Sequence, residues 1–427
     1  MGVRVIQMIR FYNGRVLTFA DEMKVTENEV WTDGGKIVYV GSQKSEMPEF
    51  EREINLNGDL LIPGFKNAHT HSAMTFLRSR ADDMPLDKWL NEQVFPNEAK
   101  LTDEMVYVMT KLAIMEYLSS GITASFDMYF HNDVYVKANI ESGFRTVICS
   151  AMNNFDADIT NIEREYLKFN SCHELIGYSL GFHAEYTTCM ERMQYIADLV
   201  QKYKAPMFVH SAETKSEVEG CIERYGITPT QLFESMGMYD YGGGGYHCVW
   251  FSDEDIEIFK KRGLWAVLNP ASNLKLASGI APVCKFLDNG INLAIGTDGP
   301  ASNNALDMFR EMYLVTALQK YRENDASACD ANKVLEMACV GGARAMGLDD
   351  CDDIAVGKKA DLVVINLHRP NMHPINNITK NLIYSGSKEN VRLTMINGKV
   401  LYEDGIFRIG EDPEYIYREA DKIVEAL

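Results

Sequence analysis

The spacing of apolar positions changes twice along this chain. From residue 1 to about 60, short apolar β-runs are broken by turn signals: Asn13-Gly14, then Asp33-Gly34-Gly35 followed by KIVYVG. Such punctuation marks short strands joined by tight turns. The middle of the chain alternates apolar β-runs with stretches of helical period. Eight strand candidates follow in order: LIPGFKNAHTH, GITASFDMY, RTVICS, IGYSLGFHA, PMFVHSAE, GGYHCVW, LWAVLNPAS and INLAIGTDG. Helical patterns such as TDEMVYVMTKLAIMEYLSS and CMERMQYIADLVQKY lie between them. From about residue 357 the β-pattern returns in GKKADLVVINL and VRLTMINGKVLYEDG, again with Asn-Gly and Asp-Gly turns.

Strands alternating with amphipathic helices indicate a parallel sheet wrapped by helices. Eight units over about 280 residues match the size of one closed barrel. The fold expected is α/β, a TIM-like (β/α)8 barrel over residues 61–356. Both chain ends, 1–60 plus 357–427, form a small β-sandwich domain that carries a C-terminal helix. An open doubly wound sheet is the competing architecture, and no GxGxxG follows the first strand. The glycine run 242–245 reads as a flexible approach loop ahead of a strand, and the helical patterns near 329–347 and 412–427 as additions outside the barrel.

Composition adds boundaries to this picture. With 46% hydrophobic and 24% charged residues in 427, the chain has the balance of a soluble enzyme with a sizeable core. A formal charge of −19 repels phosphate backbones and anionic lipid, so neither nucleic acid nor a membrane surface is an expected partner. The N-terminal residues show no signal or transit pattern and no stretch is apolar enough to span a bilayer, so a cytoplasmic location is expected. Nine cysteines, spread singly with no CxxC, suit free thiols, so any metal must come from histidines and carboxylates.

Of nine histidines, five fall at the C-terminal ends of strand candidates: His69, His71, His183, His210 and His247. In a (β/α)8 barrel that rim is where loops from many strands bring side chains together. His69 and His71 stand two apart on an extended segment, so both imidazoles point to one side and can reach one ion. His210 ends the apolar PMFVH, and Asp298 ends the apolar LAIGTD. A carboxylate at the tip of a buried strand needs compensation, which a divalent cation supplies; a loop cap or salt bridge is the blander reading. Three histidines and one carboxylate suit one Zn2+ per subunit, with Fe2+, Mn2+ and Ni2+ as alternatives. An ion in such a site lowers the pKa of a water to about 7. Glu213, three residues past His210, would stand near that water as a proton shuttle, unless it is an ordinary solvated glutamate. His247 would orient the water or stabilise charge on the attacked carbon, unless it is a satisfied core histidine.

The segments PGFKNAHTHSAMTFLRS, VHSAETKSEVE, YHCVWFSDEDI, NPASNLKLASGIAPV and GTDGPASNNALDMFREM resemble the amidohydrolase superfamily, in its aminohydrolase and chlorohydrolase branch. Within that branch the likeness is to the 5′-methylthioadenosine/S-adenosylhomocysteine deaminases, and it runs over nearly the whole chain. The resemblance implies a single-metal site, because the fourth strand, GYSLGFHAEY, offers no lysine to bridge a second ion. It implies His69, His71, His210 and Asp298 as metal ligands, Glu213 as proton shuttle, His247 as the group polarising the attacking water, and Asp298 as acceptor of the water's proton. On the substrate side it implies Trp89 packed against the ligand and Glu98 bonded to the ribose hydroxyls, with His183 and Arg145 near the substrate. Glu185 stands where relatives commonly have proline, which places a charge at the pocket edge and leaves the 5′ substituent open.

The function expected is hydrolytic deamination of an adenosine-type nucleoside: 5′-methylthioadenosine, S-adenosylhomocysteine, adenosine or 5′-deoxyadenosine. The products are the inosine analogue and ammonia. The alternatives are the same chemistry on a guanine, pterin or triazine ring, or a barrel that serves as a non-catalytic scaffold. A homo-oligomer is expected, whether dimer or tetramer being open.

Overall fold

The computed structural model describes residues 7–20, 22–80, 82–84 and 88–427; the first six residues, on which the reading of the N-terminus partly rests, lie outside this set. Among the described residues the chain opens with seven strands, β1 (Met8–Tyr12), β2 (Arg15–Thr18), β3 (Lys24–Thr26), β4 (Glu29–Asp33), β5 (Lys36–Gly41), β6 (Arg52–Asn55) and β7 (Leu60–Pro63). Eight more follow: β8 (Phe65–Thr70), β9 (Ile122–Met128), β10 (Arg145–Cys149), β11 (Ile176–Ala184), β12 (Met207–Ser211), β13 (Gly243–His247), β14 (Trp265–Leu268) and β15 (Asn292–Ile295). The last four are β16 (Leu362–Ile365), β17 (Val391–Ile396), β18 (Lys399–Glu403) and β19 (Ile406–Phe407).

Strands β8 to β15 pair in sequence order, all in parallel, as one eight-stranded sheet with helices in the connections. The sheet curls until its ends meet. There the Asn67 side chain replaces part of a ladder, accepting from Thr297 N–H at 2.8 Å and donating to Thr297 Oγ1 at 2.7 Å, while Asp298 N–H donates to the His69 carbonyl at 2.9 Å. The expected (β/α)8 barrel is therefore the observed fold. Its helices are capped as their sequences suggest. Thr102 accepts from Met105 N–H ahead of Asp103–Ser119, and Thr214 and Glu217 form a reciprocal capping box at the start of Lys215–Tyr225.

The two chain ends build two further sheets, ordered β5-β4-β1-β6 and β19-β18-β17-β16-β7-β2-β3, with apolar residues from both, such as Phe11, Val30, Leu61 and Leu393, in one core. The segment LLIP pairs with β2 and β16, so it belongs to this part and not to the first barrel strand. The chain turns at Gly64, where a Cβ would lie 2.1 Å from Thr123 Cγ2, and the barrel begins at Phe65. The C-terminal helix, Pro413–Ala426, packs on Asp103–Ser119 of the barrel and not on the small sheets with which it was grouped. Its buried Ile416, Ala420 and Ile423 repeat at helical spacing and need that apolar face.

The glycine run differs from expectation too: Gly243, Gly244 and Gly245 are the body of β13, not a loop before it. A Cβ at Gly243 would sit 1.9 Å from the Met207 carbonyl oxygen, and one at Gly244 2.1 Å from that of Trp265. The missing side chains let β13 lie between its neighbours while Phe208 and Tyr246 fill the interior. No described helix is long and apolar enough to cross a membrane.

Candidate metal centre

His69 is the fifth residue of β8, and His71 follows that strand's end and opens the turn Ser72–Leu77. His210 is the fourth residue of β12, His247 the last of β13, and Asp298 lies three residues past β15. All five are buried. Four strand ends thus present their side chains at one rim of the barrel. His247 and Asp298 take left-handed backbone angles, φ 71° and 59°, which cost about 1–3 kcal/mol for residues other than glycine and persist where surrounding contacts impose them.

The donor atoms converge. His69 Nε2 lies 3.1 Å from His210 Nε2, and Asp298 Oδ1 lies 3.5 Å from His69 Nε2 and 3.2 Å from His71 Nε2. The ligand atoms of His69, His71 and His210 all fall within 4.8 Å of one another, as do those of His69, His247 and Asp298. Orientation comes from the other side of each ring. His71 Nδ1–H donates to the Met128 carbonyl and His210 Nδ1–H to that of His183, both at 2.6 Å, because a carbonyl only accepts. Each of these imidazoles, when neutral, therefore aims a bare Nε2 lone pair at the common point. His69 stacks on Tyr246 at 3.8 Å between centroids, and its Nδ1 has no partner.

Electrostatics agree with a cation at this point. Burial pushes the His69 imidazole down to about 3 and His210 well below its ordinary range. Burial alone would raise the Asp298 carboxyl, yet the His69 and His71 rings that face it hold it well below the usual range. In return the carboxylate raises His71 to about 9 against the effect of burial, so this point draws positive charge. Lone pairs and a carboxylate packed this tightly repel unless a positive charge sits among them. Three imidazole nitrogens and one carboxylate oxygen fit a borderline divalent ion such as zinc.

Several supporting residues escaped the sequence reading. Ser272 and Ser302 donate to Asp298 Oδ2 at 2.6 and 2.7 Å, leaving Oδ1 turned to the histidines. Asn273 Oδ1 accepts from His247 Nδ1–H at 2.7 Å, so the Nε2 of that ring faces Glu213 Oε2 at 3.9 Å. Ser278 donates to Glu213 Oε1 at 3.2 Å, and burial raises the Glu213 carboxyl above its ordinary range. Glu217 accepts from the N–H groups of Ala212 and Glu213 at 2.9 and 2.8 Å, which fixes the turn that presents Glu213. The signal was in the segments NPASNLKLAS and DGPAS, whose short polar residues follow strand ends.

A cavity opens above these groups. Trp89, Glu98, His183, Glu213 and His247 line it together with His71 and Asp298. His183 reaches it through a register shift in β11 between Phe182 and Ala184, of the kind that re-aims a strand side chain. Glu98 is half-buried, with Oε1 enclosed and unpartnered, as is Trp89 Nε1, and desolvation raises the Glu98 carboxyl to about 7. Arg145 is elsewhere. It is the first residue of β10, at the opposite end of the barrel, where it forms a two-point pair with Asp361 at 2.7 and 3.1 Å. A residue that opens a barrel strand cannot reach the rim where strands end, so substrate contact by Arg145 is ruled out. Glu185 also departs from expectation: it is buried and bound to Arg224, so it puts no free charge at the pocket edge.

The amidohydrolase family profile matches residues 60–401 of this chain. The chain is 36% identical over 420 residues to a 5-methylthioadenosine/S-adenosylhomocysteine deaminase of Caldicellulosiruptor saccharolyticus, covering 96% of this chain and 97% of that one. It is 38% identical over 381 residues to a 5′-deoxyadenosine deaminase of Methanothermobacter thermautotrophicus, covering 88% and 89%. Among solved structures, an adenosine deaminase from Xanthomonas campestris with bound zinc superposes with a TM-score of 0.92 at 31% identity, over 98% of both chains.

Proposed function

Because this chain belongs to the amidohydrolase family, we propose that it is a metal-dependent deaminase of adenosine-type nucleosides, releasing ammonia and the inosine analogue. The observation that carries the reading is the approach of three imidazole nitrogens and the Asp298 carboxylate to one point beneath a cavity lined by Glu213, His247 and Glu98. His69, His71, His210 and Asp298 would hold one divalent ion, for which we propose zinc. Such an ion supplies Lewis acidity and makes water nucleophilic at neutral pH.

The remaining chemistry belongs to side chains. The purine ring lies with its amino-bearing carbon towards Asp298 and its N1 towards Glu213. Glu213, held by Ser278 and with its carboxyl raised by burial, donates to N1 so that the ring accepts the electrons of the incoming water. Asp298 accepts the proton that water loses, and His247, fixed by Asn273, orients the attack through Nε2. Return of that proton to the amino group expels ammonia, as the new hydroxyl gives its own proton to Glu213 and becomes the carbonyl of the inosine analogue. Glu98 accepts the ribose hydroxyls at its unpartnered oxygen, Trp89 packs against the nucleoside, and His183 borders it from β11.

The test is to incubate purified protein with adenosine, 5′-deoxyadenosine, 5′-methylthioadenosine and guanine while following ultraviolet spectra and ammonia release. Deamination of the nucleosides is expected. Reaction with guanine alone would overturn the nucleoside reading.

A further inference from the structure

The upper part of the cavity is apolar and carries no positive charge. Among the described residues lining it, the acidic side chains are Glu98, Glu213 and Asp298, and none is lysine or arginine. Trp89, Leu90, Val94 and Phe95 come from one helical segment, Trp89–Glu98, and Phe130 and Phe155 from the loops after β9 and β10. Phe95 and Phe155 approach to 5.8 Å between ring centroids.

Nearby cations are already engaged. Arg192 donates to the carbonyls of Asn153 and Asp156 at 2.9 and 2.7 Å, behind the loop that carries Phe155. Lys275 bonds Asp82, the Ala301 carbonyl and Asn304. An adjoining cavity shares Leu90, Tyr186 and Leu276 with the first and contains Lys215 and Arg224. There Lys215 faces Glu219 at 3.0 Å, Arg224 is bound by Glu185, and Glu217 adds a further carboxyl.

A nucleoside with its ring over the metal centre and its ribose on Glu98 must send its 5′ group into this wall. We propose that the wall selects nucleosides with a small uncharged 5′ group, hydrogen or methylthio, over those whose 5′ group ends in an amino acid; this rests on the deaminase reading above. A methylthio group gains sulfur-to-ring contacts there. The ammonium and carboxylate of a homocysteine tail would both lose hydration against aromatic rings, and the carboxylate finds no cationic side chain among the described lining residues.

Steady-state kcat/KM for 5′-deoxyadenosine, 5′-methylthioadenosine and S-adenosylhomocysteine tests this, in the wild type and in Phe155→Arg. Phe155 is 78% exposed, so an arginine there needs no core rearrangement. S-adenosylhomocysteine is expected to fall about tenfold or more below 5′-methylthioadenosine, mainly through KM, as for an unpaired charge. Phe155→Arg should narrow that ratio. Equal kcat/KM for the two in the wild type would overturn the selectivity and leave the deaminase reading standing. A ratio unmoved by Phe155→Arg would overturn its assignment to this wall, and no deamination of any nucleoside would overturn both.

Discussion

The N–H of Asp298 donates to the carbonyl of His69 at 2.9 Å across the seam where the last barrel strand meets the first. Two candidate ligands 229 positions apart are thereby joined through backbone, and closure of the barrel and assembly of the site become one event. Asn67 bridges the same seam to Thr297. The helical segment 331–345 packs across the seam from outside, where Cβ atoms at Gly341 and Gly342 would fall 2.2 Å from the Leu293 oxygen and 2.7 Å from Lys66.

Removing the ion or one of its ligands should abolish turnover. Chelation is expected to stop ammonia release and added zinc to restore it. His210→Ala should bind less than one metal per chain by elemental analysis and lose more than the roughly 10–100-fold typical of outer-shell partners. Full activity in a metal-free preparation would refute the metal assignment.

Replacing Glu213 by Gln keeps the bond from Ser278 but removes the proton donor. The expected loss is about 100- to 10,000-fold in kcat with little change in KM. A rise in KM alone would assign Glu213 to binding only.

The serines on Asp298 Oδ2 can be removed without touching a ligand. Ser272→Ala with Ser302→Ala frees the carboxylate to rotate, so metal affinity and kcat/KM should each drop by about 10–100-fold. Titration against a competing chelator reads the affinity directly, and an unchanged value would show that the ring nitrogens alone orient the site.

Glu311 offers a pH test of stability. Its carboxyl accepts from Ala271 N–H at 3.0 Å and Asn303 Nδ2 at 2.7 Å, tying together the loops that carry Ser272 and Ser302. Burial raises it to about 8. The folded protein therefore holds this proton where the unfolded chain has released it. Stability is greatest below the ordinary carboxyl range and declines as pH rises towards 8. The Tm of Glu311→Gln relative to wild type should become more favourable from pH 5 to pH 9. A difference that stays flat over this range would mean that the two N–H donors keep Glu311 ionised.

Much of the barrel was legible because strand and helix periods are local properties. IGYSLGFHA is β11 to the residue, and the strand-end positions of His69, His210 and His247 follow from where apolar runs stop. The pair His69 and His71 was legible for the same reason, since residues two apart on extended chain share a side. What failed was non-local. Arg145 looked like a pocket residue, yet only the direction of β10 decides which end of the barrel it occupies. Glu185 looked like a free charge, yet Arg224, 39 residues on, binds it.

By itself the sequence determined the alternation of strands and helices, the residue types able to hold a metal, and the lack of any cysteine pattern for one. The tertiary structure alone decided that three strand ends meet at one point, that Ser272, Ser302 and Asn273 orient the acid and the imidazole, and that the described wall above is largely apolar and holds no lysine or arginine. The physical reason is range. Backbone periodicity is set by neighbours a few residues away, whereas the field and hydrogen bonds at an active site are set by groups that only barrel closure brings within a few ångströms.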